Sequence, residues 1–276
     1  MLAILLSTYN GEKYVKEQIE SILQQDFQNL DLYIRDDGSK DSTRSIIQHY
    51  ASHYSNVHFL QDTNNLGAAM SFMTLLTYVK SDYYMFCDQD DIWLKDKVSK
   101  SIFKIKKMEQ NGNLPVLAFS DAKVVDEKLN ILSNSFWNYN KAFPRILLSN
   151  PKFISVFNCS PGCTMIFNHE LKKYLTDYHP NILMHDWYIM IKSFQNGVVD
   201  YINEPLMLYR QHSQNVVGAD KILMQTFFYR IFSFQKTIRE QLKTFKFVTK
   251  YTHVSFLEYY ILKFKFNYIR FKKMFS

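Results

Sequence analysis

Short apolar and β-prone runs recur through the first 120 positions, with segments of helical spacing between them. Residues 2–7, 30–36, 57–61, 83–87 and 116–120 read as strands. Three intervening segments read as helices: Val15, Ile19, Ile22 and Leu23; Ile46, Ile47 and Tyr50; and Val98, Ile102, Ile105 and Met108. Such alternation builds right-handed crossovers. The expected fold class is therefore α/β, a Rossmann-like, mostly parallel central sheet with helices on both faces. Residues 121–168 read as loops and short strands ending in the run 164–167. A helix over 186–194 follows, then strands 198–202 and 206–209.

The pattern changes at about residue 220. Phe227, Ile231, Phe234, Ile238, Leu242 and Phe245 step by three or four, as do Leu257, Ile261, Phe264, Tyr268, Phe271 and Phe275. This divides the chain into an α/β domain, 1–218, and a C-terminal helical extension, 219–276.

Composition narrows the class. With 276 residues, 47% hydrophobic and 21% charged, the chain is globular with a sizeable core. Three cysteines, Cys87, Cys159 and Cys163, make no paired framework and predict free thiols in a reducing compartment. The opening apolar run lacks the basic region and cleavage site of a signal peptide, and no stretch of 18 apolar residues occurs. The expected location is cytoplasmic. Net charge is +7, yet residues 220–276 hold 12 Lys/Arg against 3 acidic residues, so the basic character belongs to the tail. Such a tail suits an anionic membrane surface, peripheral on the inner face, while its helical periodicity also suits homo-oligomerisation. Nucleic-acid binding is not expected, because the charge does not line a groove with recognition motifs.

In a parallel sheet, ligands bind outside the carboxyl ends of the strands. The residues there are Ser7-Thr8-Tyr9-Asn10-Gly11, Asp36-Asp37-Gly38-Ser39, and Asp88-Gln89-Asp90-Asp91. Paired carboxylates in a cleft persist when a cation compensates them, and Mg²⁺ or Mn²⁺ prefers such oxygens together with substrate phosphates. No glycine-rich phosphate loop is present, so metal would carry phosphate binding. Each cluster also has a plain structural reading as a turn or helix cap. Their convergence on one sheet edge is what favours a site.

These motifs resemble glycosyltransferase family 2 with the GT-A fold. The likeness extends to Gly162-Cys163-Thr164-Met165, His185-Asp186-Trp187 and Tyr209-Arg210-Gln211-His212, and the set looks like the rhamnosyltransferase-like branch. The resemblance implies a metal-dependent, inverting transfer of one sugar from a UDP- or dTDP-linked donor. The acceptor would be a glycan, lipid-linked or glycoprotein hydroxyl in surface polysaccharide synthesis. It implies a nucleotide-sugar pocket of Thr8, Tyr9, Asn10, Glu12, Asp37, Asp88, Gln89 and Arg210. Asp90 and His212 are expected at Mn²⁺ or Mg²⁺, with Asp186 as general base. Gly162, Cys163, His185 and Trp187 are expected at the acceptor or in support. Many family members carry Glu-Asp where this chain has His185-Asp186, which leaves position 185 open between acceptor contact and support of the aspartate. Two rival readings remain: a nucleotidyltransferase-like enzyme, and a carbohydrate-binding or scaffold protein without catalysis.

Overall fold

A computed structural model describes residues 1–62, 64–110, 112–179, 182–212 and 234–272. Strands β1 (Leu2–Thr8), β2 (Leu30–Asp36), β3 (Val57–Leu60) and β4 (Tyr83–Cys87) lie in the order β3-β2-β1-β4, all parallel. β1, LAILLST, is buried along nearly its whole length, as a strand covered on both faces should be. Its side chains divide by the pleat: Ala3 and Leu5 enter one core, and Leu2, Ile4 and Leu6 the other.

Three helices link these strands: α1 (Val15–Leu23), α2 (Thr43–His53) and α3 (Ala68–Tyr78). The first two follow the expected spacing. The third has none to read, because AAMSFMTLLTY is apolar almost all round. It lies against β1 and β2, and also against α8 (His185–Asn196), so it has little free face to mark with charge.

Past β4 the sheet becomes mixed. β8 (Met165–Asn168) pairs antiparallel with β4 and with β6 (Val116–Val125). β6 pairs parallel with β9 (Val198–Arg210), which runs antiparallel to the short β5 (Ile92–Trp93); β7 (Ile131–Ser133) flanks β6. The parallel expectation thus holds for the first half, and antiparallel pairs enter in the second. β6 and β9 are longer than their sequence suggests. Register shifts beside Asp121 let β9 pass through Pro205, which lacks the N–H a regular ladder needs. The buried Asp121 carboxylate accepts the N–H groups of Ala122, Phe136 and Trp137, which holds the irregular backbone in place.

Among the described residues the remaining α-helices are α4 (Lys97–Glu109), the short α5 (Phe136–Asn140), α6 (Pro144–Ser149) and α7 (His169–Lys172), and the C-terminal α9 (Phe234–Thr252) and α10 (Phe256–Lys272). Phe247, Val248, Tyr251, Val254, Tyr259, Leu262 and Phe266 of the last segment join one continuous cluster with Phe119, Trp137 and Tyr188. Phe227, Ile231 and Phe275, part of the expected periodicity, lie outside the described residues. All three cysteines are free and buried. Among the described residues no helix is long and apolar enough to cross a membrane.

Candidate active site

A cleft of about 1200 Å³ runs along the carboxyl ends of β1, β2 and β4 and reaches the start of α8. Its first end is built by two loops. Gln89 reaches back from the end of β4, its Oε1 accepting the Tyr9 N–H at 2.8 Å and its Nε2 donating to the Tyr9 carbonyl at 3.0 Å. A Cβ on Gly11 would stand 2.2 Å from Gln89 Oε1, so glycine is needed for this clasp. The clasp leaves Tyr9 46% exposed on the cleft wall, where it can offer an aromatic face. Asn10 holds a positive φ of 46° and accepts the Lys40 N–H at 2.9 Å, locking the loop to the turn after β2.

That turn divides its two carboxylates by task. Asp36 is fully buried; it accepts the Thr8 hydroxyl at 2.9 Å and the Ser39 N–H at 2.9 Å. Asp37 lines the cleft and accepts three donors: Arg35 Nη1 at 2.6 Å, the Leu66 N–H at 2.7 Å and the Gly67 N–H at 2.8 Å. Arg35, wholly buried within β2, also donates to Asp62, the Asn64 carbonyl and Ser71. Of the roughly four lone-pair positions on the Asp37 carboxylate, about one remains for a ligand N–H.

The acidic turn after β4 forms the middle of the cleft. Asp90 Oδ2 lies 2.7 Å from His212 Nε2, and the imidazole stacks on Tyr14 at 4.9 Å. Burial raises the Asp88 carboxyl well above its usual range, with the Asp90 charge adding to it. Asp91 is buried beneath; Oδ1 accepts the Arg210 N–H at 3.0 Å, and Oδ2 has no hydrogen-bond partner among the described residues. Asp88, Asp91 and Cys163 bring ligand atoms within 4.8 Å of one another. The Cys163 thiol is pushed far up by burial, stays protonated and bonds Asp88, which leaves carboxylates and imidazole as the donor set. Clustered carboxylates with an imidazole on an open cleft suit Mn²⁺ or Mg²⁺.

Asp186 closes the far end, in the first turn of α8. Burial raises its carboxyl to about 6, against the lowering effect of hydrogen bonds from the Trp187 and Gly162 N–H groups. Trp187 is fixed in turn by its indole N–H donating to the Ile154 carbonyl at 2.6 Å. His185 is buried, stacked on Phe72 at 4.3 Å and edge-on to Phe86 at 5.0 Å. Neither ring nitrogen has a hydrogen-bond partner among the described residues, and burial pushes its pKa down to about 3. A neutral imidazole of that acidity is a poor base, so Asp186 is the stronger candidate at this end. A Cβ on Gly162 would meet His185 Nε2 at 2.5 Å, which explains a glycine there.

The glycosyl transferase family 2 model matches residues 3–175, spanning β1, the acidic turn and β8. The chain belongs to this family. A "dTDP-rhamnosyl transferase RfbG" of Shigella flexneri is 30% identical over 233 residues, 78% of this chain and 74% of that protein. A "putative teichuronic acid biosynthesis glycosyltransferase TuaG" of Bacillus subtilis is 31% identical over 102 residues, 37% of this chain and 40% of that one. Among solved structures, S. aureus TarS 1-349 with UDP-GlcNAc aligns at TM-score 0.61 and 19% identity, over 83% of this chain and 63% of that one. The mannosyltransferase PcManGT of Pyrobaculum calidifontis, with GDP-Man and Mn²⁺, aligns at 0.55 and 15%, over 78% of this chain and 58% of that one. The chain therefore spans less than two thirds of either solved structure, and the likeness gives the fold, GT-A. The family decides against the nucleotidyltransferase reading: this is a glycosyltransferase.

Most residues that the sequence assigns to the family 2 site line the cleft: Thr8, Tyr9, Asn10, Asp37, Asp88, Gln89, Asp90, Gly162, His185, Asp186, Trp187 and His212. Three are displaced from it. Arg210 was expected in the nucleotide-sugar pocket, yet its guanidinium donates to the Asp90 and Glu127 carbonyls and to Glu17 at 2.6 Å, and lies over Tyr14. These partners brace the acidic turn from behind. Glu12 does not line the cleft either; its carboxylate accepts the Ser42 N–H at 2.8 Å and tethers the start of α2. Cys163 lies buried behind Gly162. Sequence reasoning missed Arg35, Asp91 as a buried anchor, and Phe266 and Arg270 of α10, which also line the cleft. Only Asp91 carried a signal, its place in the acidic run.

Proposed function

We propose that this glycosyltransferase moves one sugar per encounter, with inversion, from a UDP- or dTDP-linked donor to an acceptor hydroxyl. The acceptor class is a surface glycan, lipid-linked or glycoprotein, assembled on the cytoplasmic side of a membrane. The observation that carries this reading is Asp186, a carboxylate with a pKa raised to about 6, in the same cleft as Asp37, Asp90 and His212. The names of the relatives agree with it: a dTDP-rhamnosyl transferase, and a structure holding UDP-GlcNAc.

In this mechanism Tyr9 offers its face to the base, and the remaining Asp37 lone pair accepts a pyrimidine imide N–H. Gln89 holds the Tyr9 backbone in position. Asp90 and His212 would hold Mn²⁺ or Mg²⁺, which when bound supplies charge neutralisation for the departing diphosphate. Arg210 keeps the Asp90 carbonyl fixed, so the carboxylate stays aimed at the cleft. Asp186 accepts the acceptor proton as the oxygen attacks the anomeric carbon from the side opposite the leaving group, and single displacement inverts that carbon. Gly162 keeps the oxygen of Asp186 placed through its N–H, and His185 packs beside it as a neutral ring.

The test is release of nucleoside diphosphate from a panel of nucleotide sugars with Mn²⁺. Turnover of a UDP- or dTDP-sugar that stops in EDTA is expected. Undiminished release in EDTA overturns the metal assignment, and release from neither donor class overturns the donor.

A further inference from the structure

Helix α10 shows two different faces. Its inner face carries Tyr259, Leu262 and Phe266, all buried, with Phe266 stacked on Phe157 at 3.9 Å. Phe266 and Arg270 also line the cleft, on a helix outside the span of the family model. The outer face carries Leu257, Tyr260, Ile261, Phe264, Tyr268 and Phe271, each between 39% and 74% exposed. At 3.6 residues per turn these six fall within an arc of about 100°. Lys265 and Lys272 border that arc on one side, and Lys263 and Arg270 on the other. On the preceding helix, Lys243, Lys246 and Lys250 are exposed at helical spacing. The single acidic residue between positions 241 and 272 is Glu258, already paired with Lys152 at 2.6 Å.

A wide exposed apolar arc with basic borders is the profile of a helix lying in a bilayer interface, with its rings among the acyl chains and its lysines at the headgroups. A second copy of this chain would instead bring the same lysine-bordered arc against itself, setting like charges face to face with only Glu258, already paired, as an acidic group. We propose that α10 docks the enzyme on an anionic lipid leaflet, and that the acceptor is anchored in that leaflet and enters the cleft past Phe266 and Arg270. The second clause rests on the transferase reading; the first does not. One helix then does two things: its outer arc fixes the height of the enzyme on the membrane, and its inner face forms the wall that an anchored glycan meets.

The experiment uses the full chain and vesicles of phosphatidylglycerol with phosphatidylcholine, or of phosphatidylcholine alone. Flotation is expected with the anionic vesicles only, and it weakens with added salt. The double variants Leu257→Gln with Phe264→Gln, and Lys265→Glu with Lys272→Glu, change exposed positions away from the cleft. Each is expected to weaken vesicle binding on the order of tenfold or more while circular dichroism and donor turnover without acceptor stay unchanged. The indole introduced by Phe264→Trp is expected to be quenched by brominated acyl chains, whereas the native tryptophans are not. Failure of the wild type to float with anionic vesicles overturns the proposal, as does equal flotation of the variants. Sedimentation showing a wild-type dimer that the Gln variant dissociates, with no vesicle binding, assigns the face to self-association instead. Donor turnover on the same samples tests the transferase reading separately, so failure of one is not mistaken for failure of the other.

Discussion

Asp186 sits where burial and backbone hydrogen bonds pull its acidity in opposite directions, and burial wins, leaving it near 6. A base must be ionised to act, so turnover is expected to climb as pH rises through about 6 and then level off. Asp186→Asn should lose about 10²- to 10⁴-fold in rate and lose that rising limb, with donor affinity nearly unchanged. The sign of the stability effect follows from the same shift. A folded pKa above the unfolded value means this carboxyl favours folding at low pH and opposes it as pH rises through about 6. The Asn variant should therefore melt no lower than wild type at pH 8, whereas loss of a helix cap would lower its melting point; calorimetry and single-turnover rates together decide. Asp37 behaves differently, because it is already committed to Arg35 and to two backbone donors. Asp37→Ala strips a partner from a buried guanidinium, a loss that typically costs about 3–5 kcal/mol. Its urea midpoint should fall markedly, and nucleotide affinity has to be read on the folded fraction; an unchanged midpoint would contradict the network. Spacing alone displayed the Asp36-Asp37 pair, and it was the family resemblance that singled out Asp37; its hold on Arg35, a lone cation inside a strand, had no signal in the sequence. Arg210 was assigned to the nucleotide-sugar pocket for a similar reason: spacing places a residue near a strand end and cannot say which carbonyls its donors will meet.

Two loops from different strands make one binding edge, and Gln89 joins them. Gly11→Ala and Gln89→Ala should damage the same contact, the first by crowding Gln89 Oε1 and the second by deleting it. Each is expected to weaken nucleotide binding by roughly tenfold, the equivalent of about one lost hydrogen bond, with little change in melting temperature. The double variant should be little worse than the worse single one, because coupled positions do not add. Simple additivity in calorimetric affinities would show that the two residues act apart. Elements whose patterns are periodic or strongly apolar were legible: β1, β2, β4, α1 and α4 fall where the spacing puts them. Those set by tertiary contact were not. α3 is covered on too many sides to show a stripe, and β9 reads as two strands because its own extra residues, Asn203 and Glu204 before Pro205, break its apolar pattern while the pairing to β6 carries across the bulge.

At the scale of the molecule, the boundary drawn near residue 218 follows charge and periodicity, while the packing ignores it. Seven apolar side chains from α9, α10 and the link between them lie in the cluster that contains Phe119 of the central sheet and Tyr188 of α8. Burial of such side chains is worth about 1.5–3 kcal/mol each, so together they represent about 10–20 kcal/mol, an upper estimate. A domain of ordinary stability has only about 5–15 kcal/mol in total. A chain ending at residue 218 is therefore expected to lose the tight packing of its first core, and the Phe266 and Arg270 wall of the cleft with it. It should bind a hydrophobic dye, show a broadened or missing melting transition and form aggregates, even though every motif of the family model remains. The variants on the outer arc of α10 remove none of this buried contact and should melt like the wild type. A truncated chain with a sharp, native-like transition and intact donor turnover would show that the helical segment is a separable appendage. Its role would then be confined to whatever surface it meets.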